Sequence, residues 1–214
     1  AKPGVPTPRA RGHGVLVTRV VSHSDDDHAG GVEAIIEGIA VQRLVQHGNC
    51  HHQWQLGDVR FESFDLAVHS TAAEYPDSGN HISDNATSCL LSVSWGQHWL
   101  LLTGDIESAE EYRWLEQNPR QIEQASLSLL LVPHHGSSSS STPALLNRLM
   151  PGIAVVSSGY LNRFGHPADE VVARYNIRGI RVLDTAASGA IRIHFDGSDP
   201  QGFRVTTARS KPAG

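Results

Sequence analysis

Apolar residues in this chain fall into short runs separated by polar turns, and the runs carry two different periods. Val15–Val21 (VLVTRVV) is a β-branched run that fits a buried strand. Behind it, Gly31–Ile39 sets Val32, Ile35, Ile36 and Ile39 at helical spacing. Val41–Val45 reads as a short strand, and Trp54 with Gly57-Asp58 leads into Val59–Phe64, one arm of a hairpin. Residues His69–Thr87, with Pro76-Asp77-Ser78-Gly79-Asn80, read as a surface loop. Cys89–Val93 and His98–Leu102, split by Trp95-Gly96-Gln97, make a further hairpin. A Glu-rich helix over 107–117 follows, then the continuous apolar run Leu127–Val132. Thr142-Pro143, with Leu145, Leu146 and Leu149 behind, caps and opens another helix. Strand Ile153–Val156, helix Ala168–Tyr175, strand Ile180–Leu183 and the pair Ala190–Phe195 and Phe203–Thr207 complete the alternation. The pattern predicts an α/β domain with a mixed sheet over 15–208, an irregular lead-in over 1–14 and a tail over 209–214.

Composition narrows this picture only a little. The 214 residues fit one domain, and 39% hydrophobic content fills a substantial core. A formal charge of −5, from 17 Lys plus Arg against 22 Asp plus Glu, argues against a strongly basic nucleic-acid surface. It leaves room for an enzyme whose bound cations attract phosphate locally. No apolar stretch of about 18 residues or more predicts a membrane-spanning helix. The first residues lack the apolar core of a signal peptide, and the chain opens without Met, as a fragment or processed chain would. Cys89 reads as a buried small hydrophobe and Cys50 lacks a standard metal-clip spacing, so pairing between the two stays open.

Candidate chemistry sits where apolar runs end. Val21 leads into His23-Ser24-Asp25-Asp26-Asp27-His28, Leu102 into Thr103-Gly104-Asp105, and Val132 into Pro133-His134-His135-Gly136. Ligands at strand ends rest on rigid supports and can meet on one edge of a sheet. His23, Asp25, Asp27 and His28 supply nitrogen and oxygen donors to one metal or an adjacent pair. Carboxylates packed that densely repel one another unless a cation offsets them. Each cluster alone has a plainer reading. The first suits a surface turn, Asp105 an N-cap and His134-His135 a surface pair. All three in one chain favour the metal reading.

Taken in order, HSDDDHAGG, DNATSCLLSV, HWLLLTGDIE, LLVPHHGSSSSST and NRFGHPADEVV resemble the metallo-β-lactamase-like domain of the ComEC family, the bacterial DNA-uptake channel of competence. The similarity runs from about Val15 to Phe203. It implies a four-layer αββα sandwich with mixed sheets and a metal site at one edge. The family's usual opening strands are not matched, so the resemblance implies that N-terminal strands are missing here. By the same resemblance His23 and Asp25 hold a first divalent metal, and Asp27 and His28 a second. Asp105 bridges both, and His135 is the late histidine ligand. Asn85 stands where the family has a middle histidine, and His134 is a neighbour or alternative ligand. Oxygen donors at Asp25 and Asn85 make Zn or Mn the expected metal, as one or two ions.

The function implied is a metal-dependent phosphodiesterase acting on DNA, single-stranded or duplex. Asp27 would orient water or take its proton, and His166 would meet phosphate or protonate the leaving oxygen. Ser137 and Ser138 would donate hydrogen bonds to phosphate. Expected partners are DNA, the transmembrane channel region of a larger parent protein and other competence proteins. That parent would sit in the cell membrane, with this portion soluble. Two rivals remain: another hydrolase on the same fold, and a DNA-binding or channel-gating domain without hydrolysis.

Overall fold

A computed structural model describes residues 14–46, 48–66, 83–119, 127–195 and 202–209. Eleven strands are present among them: β1 Val15–Val20, β2 Ala40–Val45, β3 His52–Leu56, β4 Val59–Phe64, β5 Leu90–Trp95, β6 His98–Leu102, β7 Leu127–Leu131, β8 Ile153–Val156, β9 Arg181–Asp184, β10 Ile191–Phe195 and β11 Phe203–Thr207. The helices are α1 Asp26–Ala29, α2 Val32–Gly38, α3 Ser108–Gln117, α4 Pro143–Leu149, α5 Asp169–Ile177 and α6 Thr185–Ser188. Strands β3 to β9 form one seven-stranded sheet in sequence order. It is antiparallel from β3 to β6 and parallel from β6 to β9. The mixed sheet expected from the alternation is therefore present. Two smaller pieces accompany it, the parallel pair β1–β2 and the antiparallel pair β10–β11.

The layering follows from the period of two along the strands. Leu101, Leu130, Ala154 and Val156 point to one face, where they pack with Trp114 of α3, Leu145, Leu146 and Leu149 of α4, and Val171 and Tyr175 of α5. Their neighbours Leu100, Leu102, Leu129, Leu131, Ile153 and Val155 point to the other. There they meet Ile191, Ile193, Phe195, Phe203 and Val205 of the β10–β11 hairpin. A sheet covered on both faces needs strands that are apolar throughout, which is why β6, β7 and β8 read as continuous runs rather than alternations. The order is helices, large sheet, second β layer, as in an αββα sandwich.

Each parallel connection uses one crossover helix, α3, α4 or α5, on the same face, as right-handed βαβ units require. All parallel strands therefore end on one edge. The pair β1–β2 is fastened to that edge through Cys50 and Cys89, which form a disulfide with Cα atoms 5.6 Å apart. Cys89 is buried, as its apolar setting predicts, and packs with Val20, Val45 and Cys50. The bridge closes 39 residues of sequence, worth about 2–4 kcal/mol.

The serine run is a packed loop rather than a linker. Ser140 Oγ donates to the Pro133 and Ser137 carbonyls at 2.8 and 3.0 Å. Glu111 of α3, fully buried, accepts from the Ser141 and Thr142 backbone N–H groups at 2.5 and 2.7 Å. Burial pushes its carboxyl above the usual range against the pull of those donors and of Arg174. Thr142 then caps α4 by accepting from Leu145 N at 3.2 Å, as Thr142-Pro143 predicts.

Loss of the Glu111 carboxylate strands two buried N–H groups. E111A is expected to cost about 2–4 kcal/mol, read as a fall in Tm of about 5–15 °C. E111Q, with a single acceptor oxygen, should fall between the two proteins. An unchanged midpoint in E111A would show that these bonds do not hold the loop.

Candidate metal centre

Four chain segments leave strands at the common edge and turn toward one point. After β1, Ser22 and His23 enter the cleft, and the Asp-rich run is not an open turn but the single helical turn α1. Its acidic residues Asp26 and Asp27 sit in the first turn, where the helix dipole favours negative charge. After β6 comes Thr103-Gly104-Asp105, after β7 Pro133-His134-His135, and after β8 Ser157. This matches the rule that open α/β sheets bind ligands beyond the carboxyl ends of their strands.

Asp105 is the centre of the group. It is 4% exposed. Its Oδ1 lies 3.2 Å from His28 Nε2, and its Oδ2 lies 3.4 Å from His135 Nε2 and 3.7 Å from His23 Nε2. Asp27 Oδ2 lies 3.2 Å from His135 Nε2, and Asp25 Oδ2 lies 3.4 Å from His23 Nε2. Ligand atoms of Asp27, His28, Asp105 and His135 all fall within 4.8 Å of one another. They line a cleft of about 300 Å³ together with Leu131 and Ser157.

Backing contacts aim the imidazoles. His135 Nδ1 sits 2.6 Å from the Ser157 carbonyl, which can only accept, so that nitrogen carries a proton. Its Nε2 is thereby turned into the cleft. Ser22 Oγ lies 2.7 Å from His28 Nδ1 and 3.1 Å from His23 Nδ1. Ser88 Oγ touches His23 Nδ1 at 3.4 Å and accepts from Asp105 N at 3.1 Å. Such outer partners fix tautomer and ring orientation at metal sites.

The electrostatics suit a cation. Burial raises the Asp105 carboxyl pKa, but hydrogen bonds from His135 and His28 outweigh it and hold the group well below the usual carboxylate range. Asp105 in turn pushes His135 up to about 9 against desolvation. His23 moves the other way, lowered by burial and then by His28. Its Nε2 is buried without a hydrogen-bond partner, although two carboxylates face it. A neutral imidazole nitrogen left bare beside carboxylate oxygens is a donor set for a divalent metal. The residues fit such an ion.

The backbone around these groups is strained where it is most exact. His134 and His135 adopt left-handed conformations, φ 47° and 52°, followed by Gly136 at φ 82°. Such conformations cost a residue with a Cβ about 1–2 kcal/mol each. The turn is held by His134 N donating to the Gly104 carbonyl at 3.1 Å and by the His135–Ser157 bond. Gly104, at φ 58°, has no room for a side chain. A Cβ there would lie 2.8 Å from Ser22 Cβ and 3.0 Å from Ser88 Cβ.

The structure brings together His23, Asp25, Asp27, His28, Asp105 and His135. Asp105 does not cap α3, whose N-cap is Glu107 in a reciprocal box with Glu110. Asn85 stands one shell away. Its Nδ2 donates to Glu107 at 3.2 Å, and Glu107 lies 3.1 Å from His134 Nδ1. His166 reaches the rim, its ring 5.9 Å from that of His134, and burial followed by His134 lowers its pKa. Ser137 is buried with its hydroxyl 3.1 Å from Ser139 Oγ, and Ser138 is exposed. Sequence reasoning did not single out Ser22, Ser88 or Ser157. Their adjacency to the strand-end clusters was the available signal.

Asp105→Ala and His135→Ala are each expected to weaken divalent-ion binding in a titration of the purified chain. Uptake by the wild type no greater than by a His23→Ala/His28→Ala double variant would remove the site. Ser22→Ala should cost roughly 10–100-fold in metal affinity, and an unchanged affinity would deny Ser22 its orienting role. Gly104→Ala should lower both Tm and metal affinity, since Ser22 and Ser88 must move.

Comparison with known proteins sets this geometry in a lineage. No family model matches the chain. It is 33% identical over 196 residues to competence protein ComA of Neisseria gonorrhoeae, covering 88% of this chain and 26% of that protein. It is 31% identical over 200 residues to the uncharacterized protein YcaI of Escherichia coli, covering 90% and 24%. Identity with ComE operon protein 3 of Bacillus subtilis is 28% over 210 residues, covering 89% and 26%. The chain thus spans about a quarter of the length of these relatives. Among solved structures, a mutant CmlA β-hydroxylase aligns with a TM-score of 0.46 at 9% identity, over 91% of this chain and 45% of that one. Zn-bound PqqB from Methylobacterium extorquens aligns with a TM-score of 0.43 at 10% identity, over 78% and 71%. Across nearly its whole length the chain is thus homologous to one quarter-length segment of the ComEC-family competence proteins.

Proposed function

We propose that this chain is a metal-dependent phosphodiesterase domain that cuts DNA as part of a DNA-uptake protein. The observation that carries the reading is the convergence of three histidines and two further aspartates on the buried Asp105 carboxylate. Asp105 presents Oδ2 to His23 and His135 and Oδ1 to His28, while Asp25 lies beside His23 and Asp27 beside His135. The mix of nitrogen and oxygen donors suits Zn or Mn, as one ion or two. Bound there, such ions lower the pKa of a water and stabilise charge developing at phosphorus.

The residues of the chain account for the rest. Asp27, with its side chain 64% exposed, stands at the mouth of the cluster, where it can orient an attacking water and accept its proton. His166, whose pKa burial and then His134 lower, stands at the rim, where it can meet a phosphate or leaving oxygen. His134 is tied to Glu107 and supports the rim rather than the cluster. Ser138, on the exposed side of the serine loop, can add a hydroxyl to an approaching phosphate. Among the described residues no helix is long and apolar enough to cross a membrane. Attachment to a transmembrane channel and contact with other competence proteins belong to the proposal through the relatives.

Cleavage of single-stranded and duplex DNA in Mn or Zn tests the reading. D27A should lower the rate by ~10²-fold or more. Equal rates for D27A and wild type would sink the assignment. Metal uptake and DNA retention without cleavage would favour the non-hydrolytic, channel-gating alternative.

A further inference from the structure

The loop between β8 and α5 carries an apolar display that the cluster itself does not use. Tyr160 is 73% exposed, Leu161 84% and Phe164 66%. Large side chains left open side by side on one loop mark a binding surface rather than chance exposure. The loop is also built to hold them out. Leu161 takes a left-handed φ of 54°, a conformation that costs a residue with a Cβ. Asn162 fixes that geometry, with Nδ2 donating to the Gly159 and His166 carbonyls at 3.2 and 2.7 Å and Oδ1 accepting from His166 N at 2.9 Å.

Each exposed ring is paired with a guanidinium. Arg163 lies over Phe164 at 4.7 Å and Arg209 over Tyr160 at 6.0 Å. The nearby carboxylate of Asp184 is engaged elsewhere, accepting from Ser158 Oγ and Ala186 N. The patch is therefore aromatic and cationic on a chain whose formal net charge is −5. It also leads into the cleft. The Phe164 ring stacks on His166 at 5.8 Å with planes 15° apart, and His166 neighbours His134.

Aromatic faces flanked by Arg are how proteins hold single-stranded nucleic acid, the rings stacking on unpaired bases and the cations meeting phosphates. Duplex bases have both faces covered and cannot use such a platform. We infer that Phe164 and Tyr160, with Arg163 and Arg209, form a base-stacking platform that feeds single-stranded DNA to the cluster. A lipid-inserting loop would share the exposed aromatics but would not need the stacked path from Phe164 through His166 to the site. The inference rests on DNA being the substrate, but binding and cleavage test it separately.

Fluorescence anisotropy with labelled single-stranded and duplex oligonucleotides, in EDTA so that metal-dependent cleavage is off, decides the matter. Wild type should prefer the single strand. Phe164→Ala and Tyr160→Ala should each weaken single-strand binding roughly five- to 150-fold, with duplex binding little changed and Phe164→Trp restoring affinity. Single-strand binding that is absent in wild type, or equal in wild type and both alanine variants, overturns the inference. So does loss of binding to anionic phospholipid vesicles in these variants with DNA binding intact. A chain that hydrolyses no phosphodiester but shows the stacking losses would overturn the proposed activity and leave the platform standing.

Discussion

A carboxylate that is 4% exposed cannot stay charged without partners, and Asp105 is surrounded by them. Three imidazoles face its two oxygens, and its own backbone N–H is taken by Ser88. The segments that deliver these groups are separated by up to about a hundred residues of sequence, yet each lies at a strand end on the same edge. The sheet exists in the form it does because both of its faces are buried. Along β6, β7 and β8 that favours apolar residues throughout and leaves the strand ends to the polar groups.

The supporting contacts are short and mostly made by small residues. Gly104 lets the strand ends at Ser22 and Ser88 close to van der Waals distance. Gly136 packs on Pro167, where a Cβ would come within 2.6 Å, and Ala168 N donates to the Gly136 carbonyl at 2.9 Å. The His134-His135 turn and the Gly165-His166-Pro167 segment are thus held as one unit. The rim and the centre of the cleft keep their spacing through backbone contacts rather than through long side chains, which carry more rotamer freedom.

Much of this was legible in the chain. The runs HWLLL, LSLLLV and IAVV announced buried strands, whereas VLVTRVV announced a strand but not its burial: β1 pairs with β2 in a two-stranded sheet and leaves Val15 and Val17 about half exposed. The polar clusters behind VLVTRVV, HWLLL and LSLLLV announced where chemistry would gather. Strand β3 was less visible, because His52, Gln53 and Gln55 dilute its apolar character at an edge of the sheet. The turn at His134-His135 could not be read at all, since two consecutive left-handed non-glycine residues run against local preference and are held only by distant carbonyls. Ser22, Ser88 and Ser157 looked like ordinary turn residues because their roles depend on neighbours far along the chain. Cys50 and Cys89 gave no framework pattern, and only the meeting of β2's exit with β5's start makes them a pair. The surface loop expected over His69–Thr87 lies outside the described residues up to position 82, as do most of the lead-in and tail; its end, Asn85–Thr87, is a 3-10 turn with Ala86 and Thr87 buried rather than an open loop.

Because the histidines on both sides of the cleft share Asp105, the two halves of the centre form one thermodynamic unit. His23 and His135 share its Oδ2, at 3.7 and 3.4 Å, while His28 takes Oδ1 at 3.2 Å, so a change at one imidazole is felt by the others. Double-mutant cycles between His23 and His135, which meet through Asp105 Oδ2, should therefore show coupling comparable to that of touching residues. A drift from one metal preference to another would then require concerted replacement on both sides, since improving either side alone is opposed by the other through the shared oxygen atoms.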